Sequence, residues 1–181
     1  MKRLTAFVAV AALFGSACAS NQGPANDPGP DPATQRAVSI YEAVIRQLVT
    51  TEDSTFGPNP RFPVVYLLER AKQDAADPEA GGEEAPLSNG VKSQLLDALS
   101  DLPIEFISDQ DAVIKPMEEG GGVKDEGVVV TVGPIPEGLD QVEVQASLYA
   151  GNLAATWLTY VVKRSSQGWR VTGTTGPVAI S

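Results

Sequence analysis

The 181-residue chain contains no histidine and one cysteine, Cys18. The first absence excludes Ser-His-Asp and Cys-His catalytic arrangements, a histidine general base and every histidine-containing zinc site. Hydrolytic chemistry is then confined to carboxylate pairs, Ser-Lys dyads and oxygen-ligated metals. The single cysteine excludes an intramolecular disulfide. Basic residues are also scarce: 13 Lys and Arg stand against 23 Asp and Glu, a formal charge of −10. Such a surface repels phosphate backbones, so no nucleic acid partner is expected. Long apolar runs are missing as well. The longest useful one, LTAFVAVAALF at 4–14, is far short of the roughly 20 residues a spanning helix needs. Gly120-Gly121-Gly122 lacks the Lys-Ser/Thr that follows in a phosphate-binding loop, and no Ser-x-x-Lys stands at a helix start. No cofactor and no catalytic residue is expected.

What is present at the N-terminus has the layout of an export signal. Lys2 and Arg3 form a positive start, the apolar run 4–14 follows, and Gly15, Ser16 and Ala17 are small. Two cleavages fit. Ala17 and Ala19 suit ordinary signal peptidase cutting before Ser20, which discards Cys18. Alternatively, Gly15-Ser16-Ala17-Cys18 resembles the lipobox of bacterial lipoproteins. That resemblance covers only the first 18 residues and departs from the pattern at Gly15, where leucine or a similar apolar residue is usual. It implies removal of residues 1–17, a diacylglyceryl group on the Cys18 thiol and Cys18 as the new N-terminus. Ala19 after the cysteine, rather than aspartate, implies sorting to the outer membrane in a didermal host. The stretch 20–32 (SNQGPANDPGPDP) supports this reading, because glycine, proline and asparagine keep it extended, as a tether requires. The expected organisation is a signal peptide at 1–17, a lipid-anchored linker at 18–33 and one globular domain at 34–181.

Without Lys2 and Arg3 the exported part has 11 basic against 23 acidic residues, a net −12. The apolar fraction of 43% and the apolar periodicity argue for a packed core in the remaining 148 residues. Residues 34–50 (TQRAVSIYEAVIRQLVT) place Ala37, Ile40, Tyr41, Val44, Ile45 and Leu48 on one helical face, with Asp31-Pro32 or Thr34 as the start. Residues 89–102 repeat the pattern behind the capping Ser88 and end at Pro103. Strands are predicted at 64–70, 104–108, 128–132, 141–149, 156–163 and 169–174. Residues 74–86 read as an exposed acidic loop. Residues 109–126 read as a second long loop, with 112–114 a candidate short strand. The last four strands have short connections, and two amphipathic helices precede them. The expected fold is α+β: two amphipathic helices packed on a twisted, mainly antiparallel sheet that ends in a four-strand meander. This order is similar in layout to nuclear-transport-factor-like and cystatin-like domains.

Two sets of residues are candidates for a site. Asp109-Gln110-Asp111 places two carboxylates at a spacing that can chelate Ca²⁺ or Mn²⁺, but the glycine and terminal glutamate of an EF-hand loop are absent. Trp157, Tyr160 and Trp169 fall in adjacent predicted strands and are candidates for a ligand pocket or interface. Trp157 and Tyr160 differ by three, which puts them on opposite sides of a sheet. The sequence thus points to a cell-envelope lipoprotein, lipid-anchored on the extracytoplasmic side through Cys18. It would be a non-catalytic module that binds an unidentified protein or small molecule. The alternatives are a freely secreted protein and a carboxylate-dependent, metal-assisted enzyme using Asp109 and Asp111.

Overall fold

The computed structural model describes residues 31–51, 61–77, 79, 81–116, 118, 120–138 and 140–180. Helix α1 (Pro32–Thr50) starts two residues before its expected first residue and so takes in the end of the expected linker. Asp31 caps it: its Oδ2 accepts the Thr34 N–H at 3.0 Å, and Pro32 supplies a first turn that needs no donor. The remainder of the signal peptide and linker, Cys18 included, lies outside the described residues. Helix α2 (Asn89–Ala98) is capped by Ser88 Oγ, which accepts the Val91 N–H at 3.2 Å. It closes at Leu99, and the turn that follows carries the chain to Pro103.

The sheet has six strands, β1 (Val65–Leu68), β4 (Ile104–Ile107), β5 (Val128–Val132), β6 (Gln141–Gly151), β7 (Ala154–Ser165) and β8 (Gly168–Ile180), in the order β4-β1-β5-β6-β7-β8. The class is α+β, as the sequence predicts. The sheet is mixed: β1 lies parallel to both β4 and β5, whereas the pairs β5–β6, β6–β7 and β7–β8 are antiparallel. The parallel half explains why β1 and β5 read as unbroken apolar runs, since both faces are covered. The alternating sequence of β6 matches a strand with one face packed and one face more open.

Val65, Leu67, Val128, Val130, Val132, Val144, Ala146, Leu148 and Val162 form one core with the apolar sides of α1 and α2. On the other side, Tyr66 and Val129 pack with Val113 and Val123 from the 109–126 segment. That segment is a working part of the core rather than a plain loop. It holds a short turn at Gln110–Ala112 and a bridge between Ile114 and Val123 in place of the short strand expected at 112–114. The acidic stretch 74–86 is likewise not all loop. Strand β3 (Glu84–Pro86) pairs antiparallel with β2 (Arg70–Lys72) as a small ribbon. Strand β8 runs well past its expected end at Thr174, with register shifts opposite Trp157/Thr159 and Val161/Val162. The first accommodates Gly176, whose φ of 70° suits a residue without a Cβ.

Arg46 ties α1 to the end of α2. Its guanidinium donates to both Asp101 carboxylate oxygens at 2.9 and 2.8 Å, to Ala98 O at 2.6 Å and to Glu42 Oε1 at 3.0 Å. The hydrogen bonds from Arg46 hold the Asp101 carboxyl below the usual carboxylate range. No described helix is long and apolar enough to cross a membrane.

Candidate functional site

The helices occupy one face of the sheet and the 109–126 segment covers part of the other. The residues of β6, β7 and β8 that point away from the helices remain partly open. The pairing register arranges them in rows: Thr131, Ser147, Trp157 and Ala179 in one, and Gln145, Thr159 and Thr175 in the next. Two hollows lie against these rows. One, about 280 Å³, is lined by Trp157, Tyr149, Ser147 and Thr131 from the sheet, by Lys72 and Asp77 from the ribbon and its turn, and by Ile114. The other, about 500 Å³, is lined by Gln145, Thr159, Thr175, Glu143, Gln73 and the apolar wall of Pro134, Ile135 and Pro136. Tyr149 Oη donates to Asn152 Oδ1 at 2.8 Å, which fixes the ring at the end of the β6–β7 hairpin.

Gln145 stands out in this setting. Its Oε1 is buried without a hydrogen-bond partner among the described residues. A buried acceptor left unpaired costs about 1–3 kcal/mol, so such atoms are few in folded proteins and each has a reason. The backbone around it is closely fitted. Gly133 N–H donates to Gln145 O at 2.7 Å, and a Cβ on Gly133 would meet Gln145 Cβ at 3.1 Å. Gly133 O in turn accepts the Tyr41 hydroxyl at 3.1 Å, and burial pushes that phenol up to about 12. The strand position of Gln145 is therefore set from both sides while its side-chain oxygen is unsatisfied.

The three aromatic candidates are not brought together. Tyr160 belongs to the helix-side core at 7% exposure. Trp169 packs at the rim of the same core, with the Arg36 guanidinium 5.4 Å from its ring centroid. Arg36 also donates to Pro136 O at 3.0 Å, so Trp169 and Arg36 join the start of α1 to β8 and the 134–136 wall. Of the three, only Trp157 lines the open side. The opposite placement of Trp157 and Tyr160 follows from strand parity, as the spacing of three predicts.

Asp109 and Asp111 are exposed beside a hollow of about 350 Å³ that also presents Arg70, Lys72 and Glu84. Asp109 Oδ1 accepts the Asp111 N–H at 2.9 Å, so this D-x-D builds the cap of a turn. Among the described residues no three His, Cys, Asp or Glu side chains are grouped as a metal site would need. Asp125, further along the same segment, accepts the Tyr66 hydroxyl at 2.9 Å. Burial, helped by that hydrogen bond and by the charges of Asp125 and Glu105, pushes the Tyr66 phenol up to about 12. A further hollow of about 460 Å³ has Val49, Thr50, Arg61 and Leu102 in its walls.

Comparison with known protein families, with curated proteins and with solved structures yields no match.

Proposed function

We propose that this chain is a non-catalytic binding module of the bacterial cell envelope, held on the extracytoplasmic side of the membrane by lipid on Cys18. The observation that carries the binding reading is the open face of β6 to β8. One half-buried tryptophan and several uncharged polar side chains are gathered there beside two hollows. Aromatic groups in partly desolvated positions contribute strongly to binding, and uncharged polar rows supply orientation without fixing a charge. The lack of any histidine and the use of Asp109 as a turn cap speak for binding rather than catalysis. Support for a carboxylate-dependent enzyme is weaker, because Asp109 and Asp111 face Arg70 and Lys72 across an open hollow. The tether reading rests on the layout of residues 1–32, and the ordinary secretory cut before Ser20 is its competitor. We further read the sheet as twisted, with β5 to β8 as a four-strand meander, supported by their continuous antiparallel register.

The test is site-specific photo-crosslinking in cells. A crosslinker at Thr159, on the open face, is compared with one at the exposed Ser93 of α2. The proposal expects one defined envelope adduct at Thr159 and none at Ser93. Equal capture of abundant envelope components at both positions contradicts it.

A further inference from the structure

We infer that the open face of β6 to β8 binds a neutral, hydroxyl-rich ligand, a sugar ring or short uncharged glycan. This rests on the binding-module reading and names its ligand class. Three observations lead to it. First, Gln145 has a buried Oε1 without a partner, on a side chain that lines the larger hollow. An acceptor in need of a donor is met by a hydroxyl once the amide turns toward the hollow, and a ligand bearing only acceptors cannot meet it. The free state is thereby left with an unsatisfied group that binding relieves.

Second, the charges present argue against an anion. The larger hollow has Glu143 as its one charged lining residue, and the smaller has Lys72 offset by Asp77. The exported part carries a net −12. A phosphate, sulfate or carboxylate ligand meets no cluster of cations here, whereas Glu143 can accept hydrogen bonds from hydroxyls. Thr159, Thr175, Ser147 and Gln73 add hydroxyl and amide groups that both donate and accept, the versatility that a polyol requires.

Third, Trp157 on β7 lies in the row next to that of Gln145 on β6, on the same face, and each lines one of the two hollows. Successive rows on one face are about 7 Å apart along the strands, a spacing comparable with a sugar ring, so one short glycan can reach from the hollow of Trp157 to that of Gln145. An aromatic surface suits the C–H face of such a ring, while its hydroxyl edge meets the polar row. Together the apolar platform, neutral hydrogen-bonding groups and absence of net positive charge select a sugar over a nucleotide, a lipid headgroup phosphate or an acidic peptide.

The experiment uses the full chain in detergent and three neutral probes: maltotetraose, cellotetraose and the tetramer of N-acetylglucosamine. Inorganic phosphate and putrescine serve as anionic and cationic comparisons. The chain has two tryptophans, and Trp169→Phe leaves Trp157 as the only indole reporter. The inference expects at least one neutral probe to change Trp157 fluorescence and raise Tm. Trp157→Ala, which removes that reporter and is titrated by calorimetry, should then raise Kd by about thirtyfold or more, the scale of an aromatic hot spot. Gln145→Leu, the milder variant should Trp157→Ala not fold, should raise it by about three- to tenfold. The inference is overturned if no neutral probe binds, if phosphate or putrescine binds in their place, or if neither substitution weakens binding. The Thr159 crosslink separates the two readings. A defined protein adduct without sugar binding removes the glycan and keeps the module, whereas failure of both removes both.

Discussion

At Gly127 the β5 strand approaches β1 so closely that a side chain has no space. A Cβ there would lie 2.5 Å from Val64 Cγ1 and 2.9 Å from Val64 O, and the latter is backbone that cannot swing aside. Gly127→Ala should destabilise the protein by about 1–3 kcal/mol, as overpacking does, read as a lower urea midpoint at unchanged slope. Tyrosine ionisation provides a second check. Tyr41 and Tyr66 are both raised from 10.0 to about 12 in the folded state, chiefly by burial. The unfolded chain therefore loses these protons first as pH rises. Their contribution to stability is complete below about pH 10 and is lost progressively as pH climbs through about 12. Tyrosinate absorbance should show a late-titrating component that shrinks in Tyr66→Phe, and Tyr66→Phe should flatten the alkaline fall in Tm. A fall of equal steepness in Tyr66→Phe contradicts the assignment. At this scale the parity of Trp157 and Tyr160 was legible from their spacing alone. The unsatisfied Gln145 oxygen was not, because it depends on how Gln73 and residues 134–136 come to lie beside β6, which no local pattern encodes.

Among the elements, both helices and β6 announce themselves by apolar period and β5 by an unbroken apolar run, and the helix caps at Asp31 and Ser88 are equally readable. The pairing of β1 was not. Its parallel neighbours β4 and β5 lie far along the chain, and a register between distant strands leaves no trace in either local sequence. The ribbon strand β3 was hidden by its composition, Glu-Ala-Pro, which reads as loop. Gly176 and Pro177 interrupt the strand pattern of β8 after Thr174, yet the apolar Val178-Ala179-Ile180 beyond them reads as a C-terminus tied into the sheet, and pairing does resume there with Ala179 opposite Trp157. Leu95 joins α2 to the shared core at 0% exposure. Leu95→Ala should cost about 2–5 kcal/mol, the range for emptying a buried leucine site. The exposed Leu96, on the same helix, should tolerate alanine with little change. Equal losses at both positions in urea melts would contradict the packing of α2 on the sheet.

For the whole molecule, the helices cover one side of the sheet, the 109–126 segment covers part of the other, and a polar face with one tryptophan is left over. The negative formal charge argues against phosphate-rich partners there. The proposed tether adds reach and confines the module to a membrane surface, where a modest affinity is multiplied by local concentration. That location is the central claim, because it decides which partners the open face can meet. The most direct measurement is the intact mass of the N-terminal peptide from a detergent-extracted membrane fraction. The account predicts a peptide that begins at Cys18 and carries a diacylglyceryl group. An unmodified peptide that begins at Ser20, recovered from the soluble fraction, would contradict it and make the protein a freely secreted one.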